Sequence, residues 1–352
     1  YNAGINSLTL NNTSAEHKEY EESLEQTEGD AAAANEDNDA TTVVGGALNI
    51  GIIGDASDYA NSPFAYMKEL TTVKFPARLS LIGKYAFYNC QKLTTVNFAD
   101  NCQVTIIDNG AFQNCAALTS IALPDAVTAI GDDAFNGDQK LATFTVNKNS
   151  SNLLTIGASA LRQTKITTFT IPAKLTGVGL NAFAGCTRLT EVEIPSGLAT
   201  LNGVFGGCAR LNTITVYATE STKLENDDGV VFTANDDGTK TLAYYPMGKR
   251  PAKGEQGEEG YEEGTYVVPS NVTVIAANAF AYNPYIKKIV IHNGVTSIGE
   301  KAFYMCGSLE QVVFDEDSEA TAQTQLAIGN YAFAGCAELG AVGFPKRLTT
   351  LG

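Results

Sequence analysis

A chain of 352 residues has room for two ordinary domains or for one repeat array, and a hydrophobic fraction of 44% is that of a soluble folded protein. Its formal charge of −16 and the lack of any Lys/Arg run exclude the electrostatics on which nucleic-acid binding rests. No stretch approaches the roughly 20 apolar residues that cross a bilayer, so no transmembrane segment is predicted.

Residues 1–60 are predicted to form an N-terminal cap, because the first coil of a repeat array needs a distinct cover. Candidate strands at Ile5–Leu10 and Leu48–Ile53 flank an acidic tract, Glu16 to Asp39, that reads as a solvated loop. The chain opens at Tyr1 with neither a start methionine nor a charged-then-apolar leader, so an export signal is expected to be missing from it.

Residues 61–216 carry a first block of repeats. The segment Ile82-Gly83-Lys84-Tyr85-Ala86-Phe87-Tyr88-Asn89-Cys90-Gln91-Lys92-Leu93-Thr94-Thr95-Val96-Asn97-Phe98 recurs in variant forms almost to the end of the chain. Its key aromatic returns as Phe64, Phe87, Phe112, Phe135, then Leu161 as a substitute, Phe183, Phe205, Phe280, Phe303 and Phe333. Ile82, Ala86 and Cys90 lie at i, i+4 and i+8, which predicts one face of a short helical turn. Val96 and Phe98 then alternate with Thr95 and Asn97, which predicts a strand with one buried face. Equivalent strands are predicted at 70–75, 93–98, 118–123, 141–146, 166–171, 189–194, 211–216, 265–268, 286–291, 309–314 and 339–344. A unit this short cannot bury its own apolar face, so successive units must stack. The predicted fold is a β-rich repeat solenoid, α/β and leucine-rich-repeat-like: right-handed coils of about 23 residues, one long parallel β-sheet, and short helical turns on the opposite side.

Residues 217–264 interrupt the pattern. Two runs, Gly229–Thr233 and Thr239–Tyr245, surround Asn235-Asp236-Asp237-Gly238, which predicts an inserted β-hairpin projecting from the array. Lys249–Gly264, rich in Gly and Glu, reads as a mobile loop. Residues 265–352 form a second block, and Leu348–Gly352 matches the opening of a further unit, as in an array ending mid-repeat.

The string Ile-Gly-x-x-Ala-Phe-x-x-Cys-x-x-Leu-x-x-Val-x-Phe/Ile-Pro is fitted closely at Ile82–Phe98, Val178–Pro195 and Ile298–Phe314, and more loosely over about residues 61–352. It resembles the BspA-like, or Treponema-type, leucine-rich repeats. The segment Asp228–Pro246 is similar to an element that interrupts arrays in that family. Leu161 departs from the aromatic, Asp138, Thr164 and Asn283 from the cysteine, and Asn202 and Ala276 from the glycine. The resemblance implies a bacterial protein exported to the surface or secreted, with some relatives adhering to host matrix proteins or other bacteria, and it implies no chemistry.

The residues themselves offer little material for catalysis. Cys90, Cys115, Cys186, Cys208, Cys306 and Cys336 each follow the key aromatic by three, one buried slot per coil, where a metal site needs ligands converging on a point. Neighbouring coils bring Cys90 and Cys115, Cys186 and Cys208, or Cys306 and Cys336 within disulfide range under strong oxidation, and Cys102, outside the slot, is the expected reactive thiol. His17 and His292 are the only histidines. The chain has no H-E-x-x-H helix, phosphate-cradling glycine loop or EF-hand. No catalytic residue, cofactor or metal is predicted, and a glycan-directed hydrolase built on paired carboxylates is the remaining enzymatic alternative.

Binding is expected on the outward strand positions, with Thr95, Asn97, Thr143, Thr145, Thr168, Thr170, Glu191, Glu193, Thr213 and Thr215 as candidates. Threonine also suits any exposed strand, so the Glu191–Glu193 pair is the distinctive local feature. Tyr244 and Tyr245 are a second candidate, because alternation sends them to opposite faces of the hairpin strand. The expected partner is a protein or glycan ligand, host extracellular matrix included, bound by a monomeric array. A structural spacer presenting another module is the competing reading.

Overall fold

The computed structural model describes residues 7–9, 41–43, 52–53, 62–147, 152–153, 155–175, 177–220, 223–251, 263–315 and 325–352. The acidic tract, His17 and most of the Lys249–Gly264 loop lie outside the described residues. The coils group into two compact units: Tyr1–Ile166 with Gly177–Phe183, and Thr167–Thr176 with Ala184–Gly352.

Both units are β-solenoids of stacked coils. In the first, Thr72–Phe75 pairs in parallel with Thr95–Phe98, and Ser120–Ala122 with Thr143–Thr145. In the second, Thr168–Thr170, Glu191–Pro195 and Thr213–Tyr217 form one three-stranded sheet, and Thr265–Val267, Lys288–Ile291 and Gln311–Phe314 another. Val73, Val192 and Ile214, the inward members of the alternation, are wholly buried. The strand expected at 339–344 does not form; Gly340 and Gly343 supply neither side chains to pack nor a stiff backbone.

A second side of each coil is also β-structure. Leu81–Ile82, Ile106–Ile107, Ala129–Ile130, Thr155–Ile156 and Gly177–Val178 pair in sequence as two-residue parallel strands in the first unit. Val272–Ile275, Ser297–Ile298, Leu326–Ile328 and Leu348–Leu351, two to four residues long, pair in sequence in parallel in the second. The backbones pass closely there. A Cβ added to Gly157 would lie 2.5 Å from the Asp132 nitrogen, which is why glycine follows the buried isoleucine.

The predicted helical turns are absent: no helix occurs among the described residues. Tyr85, Phe87 and Asn89 instead donate their N–H groups to the carbonyls of Asn109, Ala111 and Gln113 on the next coil at 2.9, 2.7 and 2.8 Å. The intervening Ala86, Tyr88 and Cys90 close turns onto Gly83, Tyr85 and Phe87. Two residues per coil, four apart, are left-handed: Tyr85 and Asn89, Gly110 and Asn114, Asp133 and Gly137 in the first unit, Asn278 and Tyr282, Lys301 and Met305 in the second. Left-handed residues cannot recur inside a right-handed α-helix. The i, i+4 spacing that imitates a helix is therefore the period of a turn ladder, and every side of the coil bonds to its neighbour.

The stacking distance between coils also sets the core. Phe64, Phe87, Phe112 and Phe135 stack face to face with successive centroids 5.4, 5.3 and 5.4 Å apart and rings within 10° of parallel. Beside this column the slot thiols donate to the carbonyl of the aromatic one coil earlier, Cys90 to Phe64 at 3.1 Å and Cys115 to Phe87 at 3.2 Å. All seven cysteines are free. Cys102 departs from the expected reactive thiol: it is buried, donates to the Pro76 carbonyl at 3.4 Å, and burial raises its pKa, leaving little thiolate to react. Polar residues in the slot are also fully buried. Thr164 donates to the Leu161 carbonyl at 2.9 Å, and Asn283 donates to the carbonyls of Pro246, Met247 and Lys249 while accepting from the N–H groups of Tyr285 and Ile286. Asp138 is satisfied at one oxygen only. Oδ1 accepts from the Cys115 N–H at 2.7 Å, Oδ2 is buried without a partner among the described residues, and burial holds the carboxyl well above the usual carboxylate range.

The inserted hairpin forms from Val230–Ala234 and Lys240–Tyr244, with Leu224–Asp227 as a third antiparallel strand. It does not project. Lys240–Tyr244 pairs in parallel with Val272–Ile275, so the hairpin continues the short-strand side of the second unit.

Candidate ligand-binding face

The strand register decides which candidates meet. In the first unit Thr95 and Asn97 are exposed beside Thr72 and Lys74, and Thr143 and Thr145 are exposed beside Ser120 and Ala122. In the second unit Thr168, Glu191 and Thr213 form one transverse row, and Thr170, Glu193 and Thr215 form the next. Neighbouring strands lie about 4.8 Å apart, so each glutamate has a threonine hydroxyl on both sides. Thr170 Oγ1 donates to Glu193 Oε2 at 2.9 Å, and Glu191 is exposed.

Tyr217 completes this patch: it is the last residue of the Thr213–Tyr217 strand and the first of the segment that interrupts the repeat pattern. Its hydroxyl donates to the Ile171 carbonyl two coils away at 2.5 Å, laying the side chain across the strand that carries Glu193. Burial, and then the nearby Glu193 carboxylate, push the phenol pKa up to about 12. The alternation Thr213, Thr215, Tyr217 was the available signal, since a strand puts every second residue on one face.

The hairpin tyrosines behave otherwise. Tyr245 is 1% exposed, which rules it out as a surface anchor. It supplies the aromatic column of the second unit, stacked 5.0 Å from Phe280, which continues to Phe303 at 4.8 Å and Phe333 at 5.2 Å. Its N–H donates to the Ala279 carbonyl, as that of Phe280 donates to Ala302. Tyr244 is half-buried, its ring 5.8 Å from Phe205 and its hydroxyl pKa raised by burial. The Tyr245 hydroxyl is buried without a hydrogen-bond partner among the described residues. Tyr245→Phe is therefore expected to leave stability unchanged or raise it by about 1 kcal/mol in urea unfolding, and a loss of that size would show that the hydroxyl holds a contact.

His292 is bound into the backbone. Nδ1 accepts from the Gly294 N–H at 3.1 Å, which leaves Nε2–H to donate to the Pro269 carbonyl at 2.9 Å on the preceding coil. Among the described residues no three His, Cys, Asp or Glu side chains converge as a metal site would require, and no helix is long and apolar enough to cross a membrane.

A sequence profile of the BspA type leucine rich repeat region matches the chain in six copies, over residues 57–153, 105–227 and 321–352, more than half of its length. Among solved structures, a leucine rich cell surface protein from Faecalibacterium prausnitzii is 25% identical, with 81% of this chain and 75% of that one covered at a TM-score of 0.50. The pneumococcal vaccine antigen PcpA is 19% identical over 97% of this chain and 73% of its own, with a TM-score of 0.56. A leucine-rich repeat protein from Eubacterium ventriosum is 19% identical over 84% and 79%, with a TM-score of 0.54. No curated protein sequence matches. With the repeat matched over most of the stacked coils and the coils themselves alike in those structures, the chain belongs to the BspA-type leucine-rich repeat family.

Proposed function

We propose that this chain is an exported, non-enzymatic interaction protein that binds a protein ligand through the sheet face centred on Glu191 and Glu193. The observation that carries the reading is the two-row patch in which both glutamates are flanked by threonine hydroxyls and bordered by Tyr217. Carboxylates set among short hydroxyls on an open sheet suit the lysine and arginine side chains of a partner, and tyrosine is a favoured interface anchor. The net charge of −16 adds long-range attraction for a basic surface, such as those of extracellular-matrix proteins. The likeness to a cell surface protein supports export. A hydrolytic role is disfavoured because the glutamates lie on an open strand face where nothing excludes water, and Thr170 already donates to one of them.

The test is surface plasmon resonance of the purified chain against a panel of purified host matrix proteins. At least one member is expected to bind saturably, and Glu191→Gln with Glu193→Gln is expected to weaken it about tenfold, or about 1.4 kcal/mol, with thermal stability retained. Binding untouched by the double substitution would remove the sheet face from the account. Saturable binding to no member would favour a spacer that presents another module.

A further inference from the structure

Three of the chain's six arginines stand in one row of the second unit. Arg188, Arg210 and Arg250 each follow a column aromatic by five residues, after Phe183, Phe205 and Tyr245, and Tyr285 holds the same place after Phe280. Arg188 and Arg210 leave the same turn, which Leu189 closes onto Cys186 and Leu211 onto Cys208, both at 3.0 Å. The strands that follow pair Glu191 with Thr213, so the two arginines are one coil apart, about 4.8 Å along the stack. The Gly248 N–H donates to the Leu211 carbonyl at 2.7 Å and sets the next coil against that turn. Its Arg250 guanidinium lies over the Tyr285 ring, 4.7 Å from the centroid. No Lys/Arg run marks the row in the sequence, because 22 and 40 residues separate its members.

The repeat does not require a cation at this position. Elsewhere it holds Glu69, Lys92, Ala117, Lys140, Ser308 and Glu338. In the first unit Glu69 and Lys92 form an ion pair there at 2.6 Å, so adjacent coils can match opposite charges. The second unit instead sets like charges side by side, which works against folding. Arg188 and Arg210 are exposed and form no ion pair or side-chain hydrogen bond among the described residues, and Lys249 beside Arg250 is paired with Asp228 at 2.8 Å.

We propose that the row Arg188, Arg210 and Arg250 binds the sulfate groups of a sulfated polysaccharide. Each guanidinium presents N–H donors in a planar fork that fits two oxygens of such an anion. The negative face of the Tyr285 ring holds the Arg250 fork in place. A row one residue wide suits a linear polyanion laid along the stack, whereas a protein partner covers roughly 800 Å². Single-stranded nucleic acid stacks its bases on open aromatic faces, and the aromatic of this row already carries Arg250. The net charge of −16 does not prevent contact, because salt screens exposed carboxylates lying beyond about 8 Å. The inference goes beyond the sheet-face reading and does not depend on it.

Surface plasmon resonance of the whole chain over immobilised heparin, with desulfated heparin and hyaluronan as carboxylate-only comparisons, tests the proposal. Saturable binding to heparin alone is expected, weakening as salt rises. Arg188→Gln/Arg210→Gln should lose at least tenfold in affinity at an equal or higher melting temperature. Lys68→Gln/Lys92→Gln, which removes the same charge from the first unit, should bind as the parent does. Glu191→Gln/Glu193→Gln should bind heparin at least as tightly as the parent, which separates this row from the sheet face. Absence of heparin binding, equal binding to desulfated heparin, equal losses in the arginine and lysine variants, or a melting temperature several degrees lower in the arginine variant would overturn it. Stronger competition by polyphosphate or polyglutamate than by soluble heparin would overturn it as well.

Discussion

Replacing Phe112 by alanine is expected to destabilise the first unit by about 3–5 kcal/mol, in the range of buried aromatic truncations. Phe112 is wholly buried and stacked on both faces, 5.3 Å from Phe87 and 5.4 Å from Phe135, with Phe75 edge-on at 6.4 Å. Truncation leaves a void that the coils cannot close, because the backbone bond from Phe112 to Ala134 at 2.8 Å and its ladder neighbours fix their separation. Phe112→Leu should cost only about 1.5 kcal/mol or less. Leu161 occupies the same column fully buried, so the position requires apolar volume more than a ring. Urea unfolding followed by hydrogen exchange measures both, the second because stacked repeats open locally. An alanine variant no less stable than Thr95→Ala, on the exposed face, would contradict the stacked-column core.

The second large effect concerns acidity. Asp138 occupies the thiol slot with one oxygen unpartnered among the described residues, and burial raises its pKa in the folded state. The folded chain therefore holds this proton more tightly than the unfolded chain does. Its stabilising contribution is complete below the unfolded value near 4 and is lost as pH rises through the raised folded value. Within that window the loss accumulates at about 1.4 kcal/mol per pH unit. Asp138→Asn keeps the acceptor for the Cys115 N–H and carries no titrating proton. The stability difference between variant and parent should be small at pH 4 and should grow in the variant's favour toward pH 7. A difference independent of pH, or one favouring the parent at pH 7, would show that Asp138 is ionised at no cost in the fold.

The parts of this molecule legible in its sequence are those with a period. Two-residue alternation such as Thr95, Val96, Asn97 places side chains on opposite faces whatever the loops do, and the strand segments followed from it. The turn side misled because Ile82, Ala86 and Cys90 share their spacing with an α-helix; what distinguishes the two is the left-handed backbone at Tyr85 and Asn89, which residue identity signals only where Asn or Gly stands. The short strand at Leu81–Ile82 is hidden by the same spacing, because Ile82 is also the first member of the i, i+4, i+8 series. The place of Tyr245 in the aromatic column is not legible because it lies 40 residues after Phe205 and 35 before Phe280, outside the spacing of every other column member, and carries a hydroxyl where the others carry none. The Glu191–Thr213 row was readable in outline, but Tyr217 crossing two coils was not, since sequence spacing says nothing of a side chain's reach.

The claim that the Glu191–Glu193 face is the binding surface is tested most directly by carbodiimide labelling of exposed carboxylates, with and without the matrix protein that binds. Glu191 and Glu193 should lose most of their labelling in the complex, while Glu300, exposed on the turn side, keeps its own. Equal labelling of Glu191 and Glu193 in the free and bound chain would contradict the account.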